Sequence, residues 1–367
     1  MFYNLLRGLW LNGVHFDLLC SSPENLDPDF VAELSLHEGS RIVRSGCAGP
    51  RFFAEQRACL NGHQRSQAIL FPNYFTPPVV PARLGRIVTI IHDFQYRYFP
   101  EFFSTKKRIW LRLAHELTFR KANMVVAISE SVRQDAIRFH GQRAEKKMIV
   151  IPNPVSWERF GRAVGPHPLG QRPYVLTVAS HYPHKNLEVL VQAFSLVAER
   201  VPDVSLVLVG QSRAELKGVM STEDRIGELA SSLRLGDRVR FTGSVTDEEL
   251  GRLYRHATLF AFPSLFEGFG MPPVEALGFR VPTLTTKCTS LPEVTLGKAI
   301  YVECPQDVEE WASRIEAAVL HPERFRVPTE TARILREHYS PKRIGKKYAH
   351  VLFGDSACES SPDSAVP

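Results

Sequence analysis

Glu267 and Glu275 stand with seven residues between them in the stretch Ser264-Leu-Phe-Glu-Gly-Phe-Gly-Met-Pro-Pro-Val-Glu-Ala-Leu-Gly278. Gly268 and Gly270 admit positive φ and a close backbone approach to a ligand. Pro272 and Pro273 suit a first helical turn, where a missing N–H costs little. The apolar run 257–262 just upstream reads as a buried parallel strand. Strand, tight loop and helix N-terminus in that order make an anion site, because the first helical N–H groups lack an intrahelical partner. Carboxylates in such a place would repel a phosphate; they suit hydroxyls, those of a sugar and of a ribose. Each acid alone has a plainer reading. Glu275 falls where a helix dipole favours any acid, and Glu267 suits a solvated loop. The pair, at this spacing and with these glycines and prolines, points to a nucleotide-sugar site.

A second group of residues bears on the same chemistry. Lys185, in Val178-Ala-Ser-His-Tyr-Pro-His-Lys-Asn186, follows an apolar run and could neutralise charge on a departing diphosphate, or simply cap a carbonyl. His92 closes the run Ile87–His92 beside Asp93, at a strand end where α/β ligands bind; a His there could equally bond a carbonyl. Ser129 and Glu130 could touch an acceptor or, as the plainer reading, cap a helix. Asp27-Pro-Asp29 lies in a polar loop, and Pro183 breaks the spacing between His181 and His184, so neither is expected to hold a metal. Neither a Gly-x-Gly-x-x-Gly nor a Gly-x-x-x-x-Gly-Lys-Ser/Thr sequence occurs.

These residues need a frame. A chain of 367 residues exceeds one ordinary core and predicts two domains, and 44% hydrophobic content is that of a globular protein. The N-terminal half predicts a helix over 2–10, strands at 14–20, 68–71, 87–92, 124–128 and 148–151, and helices over 106–121 and from Ser129. Residues 21–86 otherwise read as irregular, and Gly and Pro place the linker at 156–172. The second half alternates strands (174–179, 205–209, 239–242, 258–262, 282–285, 300–302) with helices (187–200, 223–233, 247–255, 273–279, 307–320). Such alternation predicts a parallel sheet covered on both faces, doubly wound, with ligands at the strands' carboxyl ends.

Six cysteines without paired spacing argue for a reducing cytoplasm, and no apolar run is long enough to span a bilayer. Met1–Arg7 lacks the marks of a signal peptide. The net charge of +6 is concentrated in residues 101–147, which hold eleven Lys and Arg against five Asp and Glu. Within them, residues 106–121 form an amphipathic basic helix with Trp110. It suits an anionic membrane surface or, as readily, a packed helix with a solvated face. No nucleic-acid motif accompanies the charge.

The Glu267–Glu275 block resembles the signature of family 4 retaining glycosyltransferases with the GT-B fold. Val178–Asn186, Leu206–Gly210, Val239–Gly243, Ser290-Leu-Pro-Glu-Val294, Ile90-Ile-His-Asp93 and Ile128–Ser131 are similar to that family's other marks, in the expected order. The resemblance covers roughly residues 87–353. It implies two doubly wound, Rossmann-like domains facing a cleft. The N-terminal acceptor domain would span 1–165, with helix 341–353 packing back on it. The C-terminal donor domain would span 166–340, and 354–367 would be a disordered tail. It implies catalytic roles for His92, Lys185 and Glu267, with Glu267 on the transferred sugar and His92 near the reacting carbon. Gly210, Val245, Gly268, Phe269, Gly270, Met271 and Glu275 would line the donor, Glu275 taking the ribose.

The chain departs from the family in two places. Ser180 stands where many members carry a phosphate-binding Arg, which leaves more to Lys185, with Arg213 a candidate replacement. The chain also begins inside what reads as the first helix. The resemblance would place a strand and glycine turn before it, so a misassigned start or a truncation is expected. The His-Asp and Tyr-Pro-His-Lys-Asn variants look most like the mannosyltransferase-like branch. The implied activity is metal-free transfer of a hexose, mannose from GDP-mannose, to a glycan or lipid-linked acceptor for surface polysaccharide or lipopolysaccharide. It would take place in the cytoplasm at the inner face of the plasma membrane. A GT-B nucleotide-sugar epimerase and a truncated, non-catalytic binding module remain as alternatives.

Overall fold

The computed structural model describes residues 2–354 apart from 21, 38, 45–55, 58, 61–65, 74, 162–164, 171 and 211–221. Arg213 and the expected tail from residue 355 onward lie outside the described residues. The chain forms two compact units, one of residues 1–155 with 339–367 and one of residues 156–338. The sequence placed the change of domain at 165/166. It falls at Val155/Ser156 because the segment after it packs onto the second unit. Phe160 is fully buried, its ring edge-on to Tyr254 and Phe279, and the Trp157 indole donates to the Glu275 carbonyl at 3.3 Å. Glycine and proline mark irregular backbone, and here part of that backbone is core.

In the first unit, β1 (Asp17–Cys20) pairs in parallel with β2 (Arg41–Arg44). A separate four-stranded parallel sheet runs in the order β3 (Ala68–Phe71), β4 (Arg86–Ile91), β5 (Met124–Ala127), β6 (Met148–Val150). β2 and the helix Pro28–Ser35 lie in the stretch that reads as irregular from sequence. The helix is short and opens on a proline, and Asp27, half of the Asp-Pro-Asp sequence, caps it by accepting from the Phe30 amide at 3.0 Å. Helices Phe2–Trp10 and Pro341–Phe353 pack together in this unit. Their contact is glycine on glycine: a β-carbon on Gly345 would overlap the Gly8 carbonyl, and one on Gly8 the Pro341 carbonyl.

The second unit holds one six-stranded sheet of β7 (Tyr174–Val178), β8 (Ser205–Val209), β9 (Val239–Gly243), β10 (Leu259–Phe262), β11 (Thr283–Thr286) and β12 (Ile300–Val302), all parallel. Its order is β12-β11-β10-β7-β8-β9. The chain enters at the centre with β7, winds outward through β8 and β9, then crosses back to lay β10, β11 and β12 on β7's other side. The winding therefore reverses between β7 and β10. All four residues of β10 and all five of β8 are buried, as strands covered on both faces require. Helix Leu187–Arg200 covers part of this sheet through Leu190, Ala193, Phe194 and Val197, and helix Val308–Leu320 contributes the fully buried Trp311.

Candidate functional site

In an open α/β sheet the ligand crevice lies beyond the carboxyl ends of the strands, where the winding reverses. Here the two loops at that point are the ones after β7 and β10. The first carries Lys185 in a single 3-10 turn, Pro183–Lys185, closed by the Lys185 amide donating to Tyr182 O at 2.9 Å. Asn186 then takes a left-handed conformation (φ 55°, ψ 33°) that starts helix 187–200, and its side-chain amide is anchored on the Pro305 carbonyl at 3.0 Å. The second loop carries Glu267. The two loops are knitted together: the Leu265 amide donates to His184 O at 2.8 Å.

The Lys185 ammonium and the Glu267 carboxylate form an ion pair, with side-chain exposures of only 15% and 12%. The ammonium also lies 5.4 Å from the centroid of the Phe262 ring, at the end of β10. Burial, and then the neighbouring Lys185, push the His184 imidazole down to about 3, so it is neutral at physiological pH and adds no charge.

Residues at the end of β11 and just after it brace the Glu267 loop, and sequence reasoning did not single them out individually. Thr289 Oγ1 accepts from the Glu267 amide at 2.9 Å. Ser290 Oγ lies 3.0 Å from Glu267 O and 2.9 Å from Phe269 O, able to donate to either. Thr286 Oγ1 donates to Ser264 O at 2.7 Å. The only available signal was the family-like stretch 290–294. Gly270, at φ 89°, turns the loop into helix Met271–Gly278. Pro272 and Pro273 have no N–H, so Met271 and Val274 are the amides left in the first turn. The helix end is thus a weaker anion site than the strand–loop–helix order alone suggests. Phe269 is buried, while Gly268 and Met271 are partly exposed.

Glu275 is not beside Lys185 in an open loop. It is 3% exposed, on the inner face of its helix. One carboxylate oxygen accepts from Arg159 Nη2 at 2.8 Å and the other from the Tyr254 hydroxyl at 3.0 Å. Burial holds its carboxyl above the ordinary range. Arg159 and then Tyr254 pull it back down, and Asp247 pushes it up. Arg159 itself comes from the connecting segment, and no sequence pattern marked it. Gly210, at φ 139°, ends β8 against the backbone of β7: a β-carbon there would overlap Ala179 O, and its amide donates to Gly243 O at 3.0 Å. Val245 is half-buried in the loop after β9, two residues before Asp247.

His92 belongs to the first unit. It follows β4, is half-buried, and its Nε2 lies 2.7 Å from Pro72 O, so Nε2 carries the proton and donates. This is the carbonyl-bonded arrangement that a strand-end His can also adopt. Asp93 turns inward on the chain and accepts from the Gln95 amide at 2.9 Å. Ser129 caps helix Glu130–His140 through the Val132 amide at 3.2 Å.

Two family descriptions match successive parts of the chain. "Glycosyltransferase Family 4" matches residues 1–159, and "Glycosyl transferases group 1" matches residues 165–334. The chain belongs to the family 4 glycosyltransferases. Among curated relatives it is 28% identical to the O-antigen chain mannosyltransferase B of Escherichia coli, over 66% of this chain and 63% of that protein. It is 30% identical to the serotype-specific mannosyltransferase WbdA of Escherichia coli, over 70% of this chain and 31% of that one. It thus spans less than two thirds of the length of each. In structure it is similar to Anabaena HepE in complex with UDP and glucose. That likeness has a TM-score of 0.68 at 18% identity, over 92% of this chain and 99% of that one, and shows the GT-B fold. Among the described residues, no helix is long and apolar enough to cross a membrane.

Proposed function

We propose that this chain is a retaining hexosyltransferase that moves mannose from GDP-mannose to a glycan or lipid-linked acceptor in surface polysaccharide synthesis, without a metal ion. One observation carries the reading: Lys185 and Glu267 come together at the winding reversal of the second unit, on loops that follow its two central strands. On this reading the donor diphosphate takes the Lys185 ammonium, which balances charge as the bond from the anomeric carbon to phosphate breaks. Glu267, released from its lysine, accepts hydroxyls of the sugar, and the amides of Phe269, Gly270 and Met271 help seat it. The acceptor hydroxyl forms its bond on the face the phosphate leaves, and a leaving phosphate oxygen takes its proton. Glu275 reads the ribose, and Gly210 and Val245 line the base end. His92 acts on the transferred sugar near the reacting carbon. Mannose is supported by the mannosyltransferase names of the relatives above.

A contact with the inner face of the plasma membrane fits the same reading. Helix Thr105–Lys121 buries Leu111, Ala114, His115, Thr118 and Phe119. On its outer side Ile109 and Leu113 are 54% and 64% exposed, with Lys106 and Arg112 also exposed. Trp110 is instead only partly exposed, its ring 6.0 Å from Phe75.

The purified chain should melt at a higher temperature with GDP-mannose than with UDP-glucose or ADP-glucose, since a ligand bound only by the native state stabilises it. With acceptor supplied, the product's anomeric configuration by NMR should match the donor's. A melting point indifferent to every nucleotide-sugar, or an inverted product, ends the reading.

A further inference from the structure

We infer that Arg159 is a positioning residue for the donor's ribose, holding the Glu275 carboxylate ionised and fixed in orientation; this rests on the proposed role of Glu275. Glu275 is an acid shut almost wholly away from water, and a buried carboxylate is costly unless a partner compensates it. Arg159 is the cation that meets it, at 2.8 Å, and Tyr254 supplies the second hydrogen bond at 3.0 Å. Each carboxylate oxygen has two lone pairs, so these two bonds leave capacity for two ribose hydroxyls.

Arg159 is itself held in place. Its guanidinium carbon lies 4.4 Å from the centroid of the neighbouring Phe160 ring, which is buried between Tyr254 and Phe279. The indole of Trp157, two residues before it, is fastened to the Glu275 carbonyl. The connecting segment therefore grips Glu275 twice, once by main chain and once by side chain. Arg159 Nε–H, meanwhile, is buried with no acceptor among the described residues.

The charged and titratable groups around Glu275 come from every packed element. Arg159 comes from the connecting segment, Tyr254 from the body of helix Asp247–His256, and Asp247 from its first turn, 3.5 Å from Arg159. Arg336 of helix Thr329–His338 donates to the Gly278 carbonyl at 2.9 Å. The neighbouring strands β10 and β11 carry no titratable side chain. Asp247 thus competes with Glu275 for one cation.

The experiment is calorimetric binding of guanosine and uridine diphosphates and their 2′-deoxy counterparts across pH. The wild-type chain should prefer the ribose form by roughly ten-fold, as for a hydrogen bond to a charged group. The preference should fade as pH drops through the Glu275 titration. Glu275→Gln and Arg159→Gln should each remove it while diphosphate binding persists, and Arg159→Lys should restore part. Arg159→Gln should also move the acid limb of deoxy discrimination to higher pH, because the cation that opposes Glu275 protonation is gone. Asp247→Asn, on an exposed side chain, should move the limb to lower pH.

If Arg159→Gln only lowers the melting point and leaves the ratio and the acid limb in place, the inference is overturned while the ribose reading stands. If Glu275→Gln also keeps the ratio, both fall. Should Arg159→Gln fail to fold, Asp247→Asn decides, and an unmoved limb overturns the inference.

Discussion

Each unit of this chain has six strands among the described residues, all in parallel pairings, yet they are arranged differently. The second unit joins all six in one sheet that reverses its winding at the centre. The first divides them between a pair and a row of four that never reverses. A reversal parts the two flanking loops and opens a crevice between them. Lys185 and Glu267, 82 residues apart, meet at one. The described strands of the first unit have no such point. There the candidate residue His92 donates to the Pro72 carbonyl. The difference teaches that the meeting of Lys185 and Glu267 is a product of the second unit's topology.

The sharpest way to break that contrast is to remove one side chain from each unit. Lys185→Ala or Glu267→Ala should cut nucleotide-sugar turnover by two to three orders of magnitude, the scale of removing one group that stabilises developing charge. His92→Ala should cost less, lowering kcat with little change in the KM for acceptor. Initial rates over a grid of both substrates separate the two. A His92→Ala loss equal to that of Lys185→Ala would mean that the units share the chemistry evenly.

The same comparison shows what could be read from sequence. In the second unit, long apolar runs bounded by Gly and Pro gave every strand to within a residue or two, and β8 and β12 have the expected bounds. β8 and β10 are buried at every position, as strands covered on both faces are, so their apolar runs are uninterrupted. β2 was missed because its four residues, Arg41-Ile-Val-Arg44, are half-exposed and flanked by charge. For the site, the Glu267 loop and Lys185 were legible because glycine, proline and a preceding strand constrain the backbone locally. Arg159 was not, since its meaning comes from a residue 116 positions away. Nor was the inward setting of Glu275: the sequence reads it as a first-turn acid facing solvent, whereas the helix begins at Met271 and sets Glu275 in its second turn against Arg159 and Tyr254.

Two glycines test packing in the two units with a smaller effect. A β-carbon at Gly278 would overlap the Trp157 indole, which cannot simply retreat because it is bonded to Glu275 O. A β-carbon at Gly345 would overlap the Gly8 backbone. Each substitution to Ala should destabilise by about 1–3 kcal/mol, as overpacking does. They should differ in consequence. Gly278→Ala disturbs the segment that carries Arg159 and should weaken donor binding as well. Gly345→Ala should lower the melting temperature and leave donor affinity unchanged. Calorimetric melting with and without nucleotide distinguishes them. Equal losses of affinity would show that the donor site is sensitive to the packing of both units.

The smallest effect on stability belongs to the basic helix, and it sharpens the contrast from the other side. Ile109 and Leu113 lie on the same side of the helix, one turn apart, each more than half exposed, beside Lys106 and Arg112. Exposed positions away from buried networks change stability by no more than about 0.5 kcal/mol. Ile109→Ser with Leu113→Ser should therefore leave melting and the turnover of a water-soluble acceptor unchanged. If this face meets an anionic bilayer, the double variant should sediment less with phosphatidylglycerol vesicles. Lys106→Gln with Arg112→Gln should do the same, more strongly at low salt than at high, because screening has already weakened the wild-type attraction at high salt. Phosphatidylcholine vesicles should bind neither wild type nor variant appreciably. Equal sedimentation of wild type and both variants would reduce the helix to a solvated basic face. The first unit's part in the reaction would then have to be sought at the carboxyl ends of β3 to β6, where His92 stands.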